Sequence, residues 1–119
     1  AGEPSVTLCG VPSDERRVRE RGLDHVECLL DIVHAELVPW ATRINLLRRT
    51  KHVVQNAALP ATQLRQANVY GIFKVSTNIA GAVLLVDDVY TTGATWNEAA
   101  RVLRRAGASQ VYGLVFAKG

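Results

Sequence analysis

The chain has 119 residues and a net charge of +3, with 48% hydrophobic and 21% charged residues. That is one domain with enough apolar content for a real core, ordinary for a soluble globular protein. It contains no apolar run of membrane-spanning length and does not open on a charged-then-apolar signal peptide, and so mild a positive charge suits a phosphate-binding enzyme as well as a nucleic-acid binder.

Val6 to Val11 read as a first strand, so close to the start that the chain fits either a fragment or a naturally minimal core. Pro12 to Arg21 read as a charged loop ending at Gly22. From Leu23, the apolar positions Leu23, Val26, Leu30, Val33 and Leu37 recur at helical spacing, Leu29 and Ile32 widen the stripe, and Pro39 stops it. Ile44 to Leu47 suggest a second strand running into the basic Arg48, Arg49 and Lys51. Residues 52–67 are polar and irregular, with a short helix around 61–67 as the alternative. Val69 to Val75 suggest a third strand, weakened at Gly71.

Val83 to Val86 are four aliphatic residues in a row, as expected of a strand buried on both faces of a parallel sheet. Trp96, Ala99, Ala100 and Leu103 then give a helix its inner face, Arg104 and Arg105 complement its C-terminus, and Gly107 is placed to cap it. Thr95-x-x-Glu98 matches a capping box at the start of that helix. Val111 to Phe116 read as the last strand. Strand–helix alternation around a parallel-type strand predicts a three-layer α/β domain over residues 1–119, with a mostly parallel central sheet flanked by helices.

The chemistry concentrates where the central strand emerges. Asp87 and Asp88 come first, then Thr91, Thr92, Gly93, Ala94 and Thr95, a short loop of small and hydroxyl-bearing residues leading into a helix. Ligands of open α/β sheets bind beyond the carboxyl ends of the strands. A loop entering a helix presents free N–H groups and the positive end of the dipole to an anion. Acids for sugar hydroxyls, followed by amides and hydroxyls for phosphate, describe a site for a phosphorylated sugar. A solvated Asp-Asp turn with Thr95 as a cap is the plainer reading, and it leaves the acid pair and Thr91-Thr92-Gly93 unexplained.

This segment resembles the phosphoribosyl-pyrophosphate (PRPP) motif of type I phosphoribosyltransferases. The resemblance implies that Asp87 and Asp88 bind the ribose hydroxyls and hold magnesium through water. It also implies that Tyr90, Thr91, Thr92, Gly93, Ala94 and Thr95 wrap the 5′-phosphate. Arg16-Arg17-x-Arg19-Glu20-Arg21-Gly22 after Val11-Pro12 is similar to the signature of the ComF/GntX group, as is Arg49-Thr50-Lys51 followed by Gln55, Leu59, Arg65, Asn68 and Phe73.

Asp14-Glu15 stand where that group has His-Pro, and Leu23-Asp24-His25 where it has Phe-Asn-Gln. By the same resemblance, a pyrophosphate loop follows the first strand, with Pro12, Ser13, Arg16 and Arg17 as ligands and Arg19 and Arg21 as further cations. Their alternation with Asp14, Glu15 and Glu20 keeps a solvated charge run as the competing reading. Arg48, Arg49 and Lys51 would begin a flexible loop over the site, or simply be the basic end of a strand.

The implied activity is phosphoribosyl transfer from PRPP to an unidentified acceptor, with magnesium, in a cytoplasmic homodimer. The alternative is a non-catalytic PRPP- or nucleotide-binding regulatory protein, or one connected with competence and DNA uptake. Acids interrupt the arginine run and aromatics are scattered, so direct nucleic-acid binding is disfavoured. Thr91 stands where enzymes acting on 6-oxopurines carry an aspartate, and threonine is no base at neutral pH, which argues against those acceptors. No other residue stands out as the base, with Tyr90 and His52 the nearest candidates. Residues 1–5 and 117–119 are too short for the hood that completes the acceptor pocket in such enzymes. Cys9 and Cys28 form no Cys-x-x-Cys pair and read as buried free thiols rather than zinc ligands.

Overall fold

The computed structural model describes residues 5–50, 70–90 and 93–118. Its elements are β1 (Val6–Gly10), α1 (Glu15–Arg21), α2 (His25–Glu36), β2 (Thr42–Arg43), β3 (Leu47–Arg49), β4 (Phe73–Val75), β5 (Ala82–Tyr90), α3 (Ala94–Arg105) and β6 (Gln110–Lys118). Four strands form one sheet in the order β2-β1-β5-β6, all neighbours parallel, and β3 pairs antiparallel with β4 in a separate two-stranded ribbon. The expected three-layer α/β architecture is therefore the one observed.

Period-two alternation along β5 separates the two faces. Val83 and Leu85 join Cys9, Ala99, Leu103, Leu47 and Phe73 in the core beneath α3 and the β3–β4 ribbon. Val86 joins Leu8, Val26, Leu30, Val33 and Ala41 beneath α2, with Leu84 packed against them. Both faces of β5 are thus covered, which is why its sequence is continuously aliphatic. Gly10 is where α2 comes closest to β1: a Cβ there would stand 2.7 Å from both Val26 Cγ1 and Leu30 Cδ1.

Several boundaries depart from expectation, each for a local reason. The charged stretch is a helix, because Asp14 caps it through a 2.8 Å bond from the Arg16 amide and Gly22 closes it in the left-handed conformation at φ 72°. It buries no residue of its own, so no apolar stripe advertised it. Asp24 caps α2 by accepting from the amides of Val26 and Glu27, which starts that helix at His25 rather than Leu23. The strand expected over Ile44 to Leu47 is two strands in different sheets, β2 and β3, and Ile44 and Leu46 lie in the connection between them. Of the strand expected over residues 69–75, Phe73–Val75 are observed; Val69 lies outside the described residues.

The predicted capping box is absent. Gly93 is the N-cap of α3, with no side-chain cap bond, and Glu98 is buried in a different network. At the other end Ala106 is the C-cap, and Gly107 follows at φ 120° with its N–H on the Arg104 carbonyl. β5 does not stop at Val86 but runs through the acid pair to Tyr90. Among the described residues, no helix is long and apolar enough to cross a membrane.

Candidate functional site

A cleft of about 230 Å³ opens at the carboxyl end of the parallel sheet, the edge at which α/β folds bind ligands. Its walls come from the β1–α1 connection (Val11 to Asp14), one face of α1, the start of α2, the end of β5 and the first turn of α3. Each wall is placed by a feature already described: the acids by the extension of β5, α1 and α2 by their Asp caps, and α3 by Gly93.

The two adjacent carboxylates lie in different surroundings because successive side chains of a strand point to opposite faces. Asp87 follows the α3 side. It is 8% exposed, and its Oδ1 accepts the Asp88 amide at 2.8 Å. Burial, first of all, and then the neighbouring Asp88 carboxylate push its pKa up to about 7. Asp88 follows the α2 side. Its Oδ2 stands 3.7 Å from Arg21 Nη1 and 4.0 Å from His25 Nδ1, and these two bases are themselves 3.3 Å apart.

Arg49 enters from β3. Its Nε donates to the Pro12 carbonyl at 2.8 Å, and its guanidinium lies 5.4 Å from the Phe73 ring centre. Burial lowers its pKa, against the opposing pull of Asp14 and Asp87. Opposite, the Tyr90 ring lies against Gly93, where an added Cβ would come within 2.8 Å of Tyr90 Cζ, and Gly93 itself has φ 82°. Only glycine combines that backbone with that ring contact.

Of the residues singled out from the sequence, Pro12, Ser13, Arg17, Arg21, Arg49, Asp87, Asp88, Tyr90, Gly93 and Thr95 line this one cleft. Ser13 also donates to Asp24 Oδ1 at 3.0 Å, joining the β1–α1 connection to the cap of α2. Ala94 is the first residue of α3 and is not part of the lining. Thr91, Thr92, Lys51 and His52, with Gln55, Leu59, Arg65 and Asn68, lie outside the described residues.

Arg16 is elsewhere. Its side chain is 81% exposed and pairs with Glu20 at 3.1 Å on the outer face of α1. The helix explains this: Asp14, Arg17, Val18 and Arg21 share the inward face at spacings of three and four, which turns Arg16, Arg19 and Glu20 away. His25 and Trp96 also line the cleft, and neither was picked out as a ligand. The Asp24 cap, which makes His25 the first helical residue, is the signal that would have found His25. The Trp96 ring packs over Gly113 of β6, and its Nε1 is buried with no hydrogen-bond partner among the described residues. Trp40, in contrast, is exposed.

Magnesium prefers hard oxygen ligands and is commonly held by one or two carboxylates together with substrate oxygens. Asp87 and Asp88 supply that donor type. No group of three His, Cys, Asp or Glu able to hold a metal ion occurs among the described residues. Cys9 and Cys28 are free; Cys9 is buried and its thiol pKa is raised by that burial.

No family model matches the chain. Among curated proteins, Competence protein F of Haemophilus influenzae is 36% identical over 93 residues, covering 71% of this chain and 40% of the relative. Competence protein ComFC of Streptococcus pneumoniae is 30% identical over 101 residues, covering 85% of this chain and 43% of the relative. The chain thus spans about two fifths of the length of the curated relatives it matches.

Among solved structures, the glutamine PRPP amidotransferase of B. subtilis, complexed with ADP and GMP, superposes with a TM-score of 0.55 at 20% identity, over 98% of this chain and 23% of that one. A structure described as the allosteric regulatory enzyme of purine biosynthesis gives a TM-score of 0.56 at 23% identity, over 98% of this chain and 22% of its own. The parallel sheet with its acid pair at the carboxyl edge, the sequence relatives and the structural neighbours agree: the chain is a ComF-like protein of the type I phosphoribosyltransferase fold.

Proposed function

We propose that this chain binds PRPP with magnesium and transfers the phosphoribosyl group to an acceptor not yet identified. The observation that carries the reading is the convergence, in one cleft, of an acid pair, the glycine-led first turn of α3, and arginines from two further elements, Arg17 and Arg49. That distribution matches a ligand with hydroxyls at its centre and phosphates at both ends.

On this reading Asp87 and Asp88 accept hydrogen bonds from the ribose hydroxyls and orient the sugar. Loss of pyrophosphate from C1 leaves positive charge on the ring, and two carboxylates beneath it stabilise that charge more than they stabilise the neutral substrate. A cationic ring also favours full ionisation of the pair, which burial and mutual repulsion otherwise oppose at Asp87. The first-turn amides of α3 hold the 5′-phosphate, with Gly93 allowing close approach. Arg17 and Arg49 stand where charge-assisted bonds would steady the departing pyrophosphate. When bound, magnesium would neutralise charge on the leaving group.

A second reading has its own support, since both sequence relatives carry competence names. In it the same site senses PRPP or a nucleotide without turnover and serves a competence-related role. Calorimetric titration of magnesium-PRPP into the chain and into an Asp87→Asn/Asp88→Asn variant tests what the two readings share. Binding that the substitutions abolish is the expected result, and absence of binding to the folded parent overturns both. Release of pyrophosphate when candidate acceptors are added then separates the enzyme from the sensor.

A further inference from the structure

Glu98 is a buried acid that the chemistry proposed above does not use. It is 5% exposed, in the middle of α3, with both carboxylate oxygens occupied. Arg101 donates to it twice, from Nε to Oε1 at 2.6 Å and from Nη2 to Oε2 at 2.8 Å. The third donor comes from outside the helix: the Gly71 amide bonds Oε2 at 2.7 Å. Arg101 is in turn stacked 4.4 Å from the centre of the Tyr70 ring. An ion pair within one helix would be served as well in solvent. What burial adds here is a grip on the backbone just ahead of β4.

That grip extends to the cleft through a continuous set of bonds. The Gly71 carbonyl accepts Thr50 Oγ1 at 2.8 Å, and the Thr50 amide donates to the Ile72 carbonyl at 2.6 Å. Thr50 immediately follows Arg49, which is paired with Phe73 in the β3–β4 ladder. Arg49 then reaches Pro12 and the neighbourhood of Asp87. We infer that Glu98 is a positioning residue: by fixing Gly71 to α3, it sets where the β3–β4 ribbon holds the Arg49 guanidinium against the cleft.

The same helix carries Gly93 and Thr95 at its first turn, so both the phosphate side and the Arg49 side are referenced to one rigid element. Cooperation of this kind is worthwhile only if a ligand spans the two sides. The inference therefore rests on the proposed function for its purpose, and on the hydrogen-bond path alone for its geometry.

The test has a ligand-free arm and a ligand arm. In the first, NMR follows hydrogen exchange of the Arg49 Nε–H in the parent, in Glu98→Ala and in Glu98→Gln, with the Leu8 amide of β1 as reference. Glu98→Ala is expected to speed Arg49 exchange about tenfold relative to Leu8, as loss of a local restraint does. Glu98→Gln, which keeps an oxygen for the Gly71 amide, is expected to restore most of the protection. Equal acceleration at both probes, or none at Arg49, overturns the inference, because a purely structural acid would loosen the whole domain.

In the second arm, pyrophosphate is titrated into the parent, Glu98→Ala, Arg49→Gln and the double variant. Each single change is expected to weaken binding about tenfold, with the double variant no weaker than Arg49→Gln, since residues acting through one another are not additive. Additive losses overturn the inference. A parent that binds neither pyrophosphate nor magnesium-PRPP, with the exchange pattern intact, removes the proposed function and leaves the positioning geometry standing.

Discussion

The carboxylate of Asp88 stands 3.7 Å from the guanidinium of Arg21, so the acid at the end of β5 faces the last turn of α1 across the cleft. Arg17 lies one turn earlier on the same face of that helix, whereas Arg16 is paired with Glu20 in solvent. A run of similar arginines is thereby divided into two that face the cleft and others that do not.

The division is measurable. Arg17→Gln is expected to weaken magnesium-PRPP binding roughly 10- to 100-fold, the scale of one or two charge-assisted bonds. Arg16→Gln is expected to change it less than about twofold, because exposed ion pairs are worth little. Calorimetry on the two variants decides it, and equal losses would mean that α1 is not the wall described.

Asp87 supplies a pH dependence of stability. Its folded pKa of about 7 lies above the ordinary 3.8, so between those values the folded chain holds a proton that the unfolded chain has lost. Stability therefore falls as pH rises through this window, and the penalty is full above about 7, at most about 4 kcal/mol. Asp87→Asn is expected to melt higher than the parent at pH 8 in the presence of EDTA, with the gap closing towards pH 4. Thermal melts across that range check it; a variant less stable at pH 8 would show that Asp87 is not strained.

Glu98 behaves in the opposite sense. Arg101 first, and then the Gly71 amide, hold its pKa below the ordinary 4.5. Its stabilising contribution is complete above that value and is lost as pH falls through the lower folded pKa. Glu98→Gln is expected to cost about 1–3 kcal/mol at pH 7 and to show a shallower acid transition than the parent. Urea titrations at pH 7 and pH 3.5 would show the two curves converging in acid.

Gly93→Ala adds a Cβ to a residue at φ 82° against the Tyr90 ring. The expected cost is about 1–3 kcal/mol of stability together with loss of magnesium-PRPP binding. Adding Tyr90→Ala to Gly93→Ala relieves the ring contact but not the backbone strain. Recovery of binding in that double variant, read by calorimetry, would show that the ring contact rather than φ governs the site.

Much of the site was legible because its residues are neighbours in the chain. Val83 to Val86 announce a strand covered on both sides, and Asp87, Asp88 and Gly93 follow within the next seven residues. Strand periodicity and helix entry are local phenomena, so a local pattern suffices. α1 was less legible, since a helix with no buried residue has no apolar period, and only Asp14 and Gly22 mark its ends. Glu98 was misread for a related reason: Thr95-x-x-Glu98 satisfies the local rule for a cap, while the partner that claims Glu98 is Gly71, on another element.

The sequence by itself determined the parallel α/β class, the central strand and the acid pair at its end, because continuous aliphatic burial and the turn into a helix are properties of adjacent residues. Tertiary structure alone decided which arginines reach the cleft, why two neighbouring aspartates differ, and how Arg49 and His25 come to face them. Those outcomes depend on helix phase, on burial and on contacts between distant segments, and such contacts form only once the sheet has joined β1 to β5 and the β3–β4 ribbon has packed against it.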